Sequence, residues 1–251
     1  MRIPLIIGLG LALSGCVAAG PPPVLGKGVL DKGGGGPAPI AQSGPVFASS
    51  PQQAVNTFVA VVQQVEPVAE AMCRERAGFG VNCDLQIVVD SRPGLPPNAF
   101  QTVDARGRPV VGFTLALIAD ARNADEIAFV MGHEAAHHIA GHIPKREETA
   151  LAGALVAGVL AQASGADPEA IRAAQDLGAQ VGARSYSRDF ELEADALGAE
   201  IAFRAGFDPV IGTGFFDRLP DPGDQFLGTH PPNAQRKAQV RAVMARLLAG
   251  G

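Results

Sequence analysis

The chain has 251 residues, enough for one ordinary domain of about 150–200 residues with something smaller beside it. Apolar residues make up 47% of it, so a sizeable core can be built, while a formal charge of −5 without a Lys/Arg cluster argues against a nucleic-acid partner. Its 31 Gly and 20 Pro point to a chain with an irregular leader and many turns.

The first residues read as a targeting segment. Arg2 supplies a positive start, Ile3 to Leu13 an apolar run, and Leu13-Ser14-Gly15-Cys16 a cleavage site. A run of roughly 11 apolar residues is too short for the ~20 that a helix needs to cross a bilayer. Leu-Ser-Gly-Cys resembles a bacterial lipobox. That resemblance implies a signal peptide at 1–15 and a lipid on Cys16, and Val17 in place of Asp implies the outer membrane, facing the periplasm. The alternative is an ordinary signal peptide with an incidental cysteine. Residues 16–50, rich in Gly and Pro, are expected to form a flexible tether, with the folded domain spanning 51–251. With Cys16 lipidated, Cys73 and Cys83 remain in an oxidising compartment, and their short separation predicts a structural disulfide rather than two buried thiols.

Helical spacing of Val55, Phe58, Val59, Val62 and Val65 predicts a helix over 52–76 that Pro67 should end or kink. A β region follows, at 85–89, 98–103 and 109–113. The last two flank a hairpin turn over 104–108 with Gly107 at a positive-φ position. A short helix is expected at 115–121. A stronger one starts at Asn123, an N-cap with Glu126 in a capping box, and ends at Gly141 and Pro144. Residues 149–183 read as two small-residue helices separated by Ser164 to Pro168. They are a poor membrane span, though a surface-associated hairpin stays open. Further helices are expected at 189–205, closed by Gly206, and from Asn233 onward.

His133-Glu134-Ala135-Ala136-His137 matches H-E-x-x-H. Imidazoles at i and i+4 share one helix face and can point at one ion, which leaves room for a third ligand and a water. The intervening Glu134 lies about 100° round the helix, within reach of that water rather than the ion. Ile127, Val130 and Met131 mark a buried stripe that continues onto Glu134, His137 and His138, and polar groups there are costly unless satisfied. Glu191 and Asp195 share a face of a second helix, with Glu193 directed away. Spacing leaves open which of the pair binds a metal and which orients a ligand histidine. Ala194, Gly198 and Ala202 would let that helix approach the first closely.

These motifs resemble the M48 zinc metallopeptidases, over about residues 98–236. Besides the two zinc motifs, the likeness includes Asn98-Ala99-Phe100, His142, Ser187-Arg188, Gly206-Phe207-Asp208-Pro209, Thr229-His230-Pro231 and Arg236. The resemblance implies an α+β, mostly helical, zincin-like domain with a small sheet and one Zn²⁺ held by His133, His137 and Glu191. It further implies Glu134 as the catalytic base and Asp195 behind a ligand histidine. His230 would lie near the metal, as oxyanion stabiliser or resting-state cap, with Arg236 buttressing its loop. His138 and His142 are expected to be structural. The transmembrane helices of the membrane-embedded members are missing, and no room is left for a C-terminal repeat domain.

The implied activity is zinc-dependent cleavage of polypeptides at the periplasmic face of the envelope, with misfolded or misassembled envelope proteins as substrates. The peptide would lie extended along an edge strand near 98–104. The alternative is a metal-stabilised assembly chaperone that seldom cuts; a structural lipoprotein with an incidental motif would bind no stoichiometric metal.

Overall fold

A computed structural model describes residues 50–185, 187–219 and 231–250. The readings at 1–49, Cys16 among them, and the reading of His230 lie outside the described residues.

Helix α1 (Pro51–Arg76) opens on a full capping box. Ser50 accepts the Gln53 N–H, the Gln53 side chain accepts the Ser50 N–H at 2.8 Å, and Pro51 takes the first turn. Its buried face is Ala54, Phe58, Val61, Val65, Ala69 and Met72, whereas Val55 and Val59 are 45% and 43% exposed. Pro67 does not end the helix. It sits on the exposed side, where water can take the Gln63 carbonyl that proline leaves unbonded. Cys73, in the last turn of the helix, and Cys83 beyond it form the expected disulfide, with Cα atoms 5.6 Å apart.

Strands β1 (Gln86–Asp90), β2 (Ala99–Val103) and β3 (Pro109–Thr114) make one sheet in the order β1-β3-β2. β3 is parallel to β1 and antiparallel to β2, so β2 is an edge strand among the described residues. The β2–β3 turn forms as read: Gly107 has φ 76°, and the Asp104 carboxylate accepts the N–H groups of Arg106 and Arg108.

The short helix α2 (Leu115–Asp120) leads to α3 (Ala124–Ile139). Asn123 caps α3 by accepting the Glu126 N–H at 2.8 Å. Glu126 does not close the capping box: its carboxylate takes the Arg122 N–H and pairs with Arg218 instead. Because α1, the sheet and the later helix over 187–204 surround it, α3 is buried on nearly every side from Ala124 to His133 rather than along one stripe. Gly141, at φ 66°, turns the chain straight into α4 (His142–Ala163), so Pro144 lies in the first turn of α4 and not beyond a helix end.

α4 and α5 (Pro168–Ser185) form the hairpin of small-residue helices. A Cβ on Gly153 would stand 2.1 Å from the Gly178 carbonyl, so backbone meets backbone. α6 (Ser187–Arg204) packs on α3 by the same device, since a Cβ on Gly198 would come within 2.6 Å of the His133 N. A short α7 (Pro209–Gly212), a 3₁₀ turn (Thr213–Arg218) and α8 (Asn233–Leu248) complete the described chain. The result is mostly helical with a small sheet, as expected. No helix among the described residues is long and apolar enough to cross a membrane.

Candidate metal centre

α3 places His133 and His137 one turn apart, with their Nε2 atoms 3.0 Å from each other. The close α3–α6 approach brings Glu191 to them: Oε2 is 3.5 Å from His133 Nε2, and Oε1 is 3.5 Å from His137 Nε2. Donors about 2.0–2.1 Å from a tetrahedral Zn²⁺ stand roughly 3.3 Å apart, so this constellation fits such an ion with little adjustment. The three residues could hold a metal, their donor atoms all lying within 4.8 Å of one another.

Asp195, one turn further along α6, lies on the other side of the His133 ring. Its Oδ1 accepts the His133 Nδ1–H at 2.9 Å and its side chain is fully buried. Arg236 of α8 closes a fork on the same carboxylate, Nε to Oδ2 and Nη2 to Oδ1, both at 2.7 Å. The guanidinium also lies 4.1 Å from the Phe216 ring centroid and 3.4 Å from Glu191 Oε2. Arg236 was expected to buttress the His230 loop, which lies outside the described residues; among the described residues it braces Asp195.

Charge follows this arrangement. Burial opposes a proton on His133, but Asp195 and Glu191 outweigh it and raise the imidazole to about 10. Burial and the charge of His133 together hold His137 down to about 3. Burial opposes ionisation of Asp195, yet His133 and Arg236 keep it below the usual carboxylate range. Asp195 and Glu191 thus favour positive charge at His133, while His137 is held neutral with a lone pair available to a metal.

The half-buried Glu134 borders a cleft of about 730 Å³ together with the three donor residues. Asn98, Ala99, Gln101 and Thr102 line one wall of that cleft, and Phe190 and Ser187 line another.

Residues 60–244 match the model of Peptidase family M48. The chain belongs to this family. It is 32% identical over 142 residues to the Beta-barrel assembly-enhancing protease of Escherichia coli (strain K12), covering 50% of this chain and 28% of that protein. It is also 32% identical over 132 residues to the protein of that name from Yersinia pestis, 47% and 27% covered. The Mitochondrial metalloendopeptidase OMA1 of Arabidopsis thaliana is 30% identical over 131 residues, covering 51% of this chain and 26% of that protein. The chain thus spans about a quarter of the length of these relatives. Membership of M48 implies a divalent metal, consistent with the donor set.

His142 was expected to be structural rather than a ligand, and Glu193 to point away from the face of Glu191 and Asp195. The structure links both to the metal centre: His142 Nδ1 is 2.9 Å from His137 Nδ1, and His142 Nε2 is 3.1 Å from Glu193 Oε2. The Phe190 ring stacks on His142 at 4.5 Å. Proton counting orients the chain. His142 donates its Nε2–H to the carboxylate, so its Nδ1 accepts the His137 Nδ1–H and leaves His137 Nε2 with a lone pair facing Glu191. His138 instead bonds the Asn82 carbonyl at 2.7 Å, beside the disulfide, as a structural residue would.

Proposed function

We propose that this M48 chain is a zinc-dependent endopeptidase that hydrolyses peptide bonds of extended or unfolded polypeptides. The observation that carries the reading is Glu134 beside a His133–His137–Glu191 donor set at the floor of a cleft walled by an edge strand. Two imidazoles and one carboxylate are a donor set of catalytic zinc, three protein ligands with one position open. When bound, zinc supplies Lewis acidity toward a water and a scissile carbonyl.

The chain's own residues do the rest. Glu134 accepts a proton from the attacking water and returns it to the leaving amine nitrogen. Asp195, held ionised by Arg236, fixes the His133 tautomer so that Nε2 faces the cation. In the β2–β3 ladder, Asn98 and Asp104 face β3 through their backbone groups, so by alternation those of Ala99 and Gln101 face the open edge. A substrate strand pairs there, main chain to main chain, directly beside Glu134. Such pairing selects for extension more than for sequence.

The lipobox at Cys16 and the names of the two bacterial relatives support a lipid-anchored protein on the periplasmic face of the outer membrane. Misfolded or misassembled envelope proteins are then the substrate class. His230 is proposed to stand near the metal on the M48 resemblance alone. The test is cleavage of an unfolded casein-type substrate by the purified full chain, with bound metal measured alongside. Glu134→Gln is expected to keep the metal and lose at least about 10²-fold in turnover. Unchanged turnover, or wild-type cellular function from that variant, would return the reading to a metal-stabilised chaperone.

A further inference from the structure

Beyond the charged first turns (Lys145, Arg146, Glu147, Glu148), the outer face of α4 is apolar. Leu151, Leu155, Val156, Val159 and Leu160 are 57–65% exposed there, and no residue from Thr149 to Ala166 is charged. Gly153 and Gly158 of α4 meet Gly178 and Gln175 of α5 to form the hairpin's internal seam, and the five exposed side chains lie outside that contact. The outward side of α5 carries Glu169, Arg172 and Asp176. α5 also exposes Leu177 and Val181, so the hairpin's apolar surface comes mainly from α4 beyond Thr149, and the Glu169–Arg172–Asp176 side of α5 is polar.

We infer that the outer face of α4 docks on a lipid bilayer, lying in the interface plane without spanning it. The five side chains expose on the order of 500 Å² of apolar surface, a size that marks a docking site on a monomer. A second copy on the same face would bury roughly 1,000 Å² in total, short of the ~1,200–2,000 Å² of stable dimers. A bilayer needs no matching shape, and a helix back sinks about 5–10 Å into the acyl boundary.

Chain length outside the described residues fits the same occupant. From Cys16, which the proposed function takes as the lipidated residue, residues 17–50 reach ~30 Å as a Gly/Pro-rich chain, enough to lay α4 on the membrane that holds the lipid. The docked helix runs directly into the site. His142, Ile143 and Arg146 in its first turns line the cleft, roughly 8–14 Å along the helix from Leu151. Docking thus holds the cleft beside the bilayer surface, where segments failing to enter the membrane are exposed.

The chain contains no Trp, so a single introduced Trp reports one position. The experiment places the full chain carrying Val159→Trp on phosphatidylcholine vesicles with brominated acyl chains, and Arg172→Trp on the α5 face as control. The Val159→Trp emission should fall by about half or more, while the control changes little. Adding Leu155→Glu and Leu160→Glu should abolish the quenching and leave peptide cleavage in solution within about twofold. Equal quenching at both positions overturns the proposal. So does a lipid-independent blue shift at Val159→Trp that grows with protein concentration, which would place a second copy on the face. Mass analysis of the N-terminal fragment tests Cys16 lipidation separately, so failure there and failure of docking are told apart.

Discussion

Asp195 and His142 act on the His133 and His137 imidazoles from opposite sides, and each leaves an Nε2 lone pair available to a cation. Asp195 also neutralises Arg236, which is only 5% exposed. Asp195→Asn keeps an acceptor for His133 but strips that guanidinium of its closest counter-charge. The expected cost is about 3 kcal/mol of folding stability, read by urea denaturation, together with weaker metal binding. His142→Ala removes the acceptor for the His137 Nδ1–H and frees that ring to rotate. Metal affinity measured by chelator competition should fall about 10–100-fold with little change in urea midpoint. Glu193, whose side chain is 53% exposed, should matter less, and Glu193→Gln, which still offers an oxygen, should stay close to wild type.

The donor set at the scale of elements depends on how closely α6 lies against α3. Gly198 allows that approach, so Gly198→Ala should push α6 outward and cost roughly 2 kcal/mol, with loss of bound metal measured on the same sample. Gly153→Ala perturbs only the α4–α5 contact and should leave metal content intact. α6 is also tied to α1, because Glu200 accepts from Arg76 and pairs with Arg204. Burial raises the Glu200 pKa, but the two arginines outweigh it and hold it below the ordinary 4.5. A depressed carboxylate contributes stability that is complete above its unfolded pKa and is lost as pH falls through the folded one. Glu200→Gln should therefore lower stability at pH 7 and flatten the acid limb of the stability curve below about pH 4.5.

For the whole molecule, what was legible in sequence is what depends on short range. The i, i+4 histidines, the Gly107 turn, the Asn123 cap, the small-residue seam of α4–α5 and the Cys73–Cys83 bridge each follow from spacing or from one residue's conformational freedom. What was not legible depends on how distant elements meet. Glu191 and Asp195 share a face, and only the position of α6 beside α3 sends one to Nε2 and the other to Nδ1 of His133. His142 reaches His137 because Gly141 takes a left-handed turn that starts α4 at once. The buried side of α1 is likewise set by where α3, α6 and α2 pack on it, not by which residues are valines. The measurement that tests the account most directly is anomalous diffraction at the zinc edge from crystals of the purified full chain. One peak is expected, about 2.0–2.2 Å from His133 Nε2, His137 Nε2 and a Glu191 carboxylate oxygen. Crystals of zinc-supplied protein with no peak at that position, or with the ion held by Asp195 instead of Glu191, would contradict it.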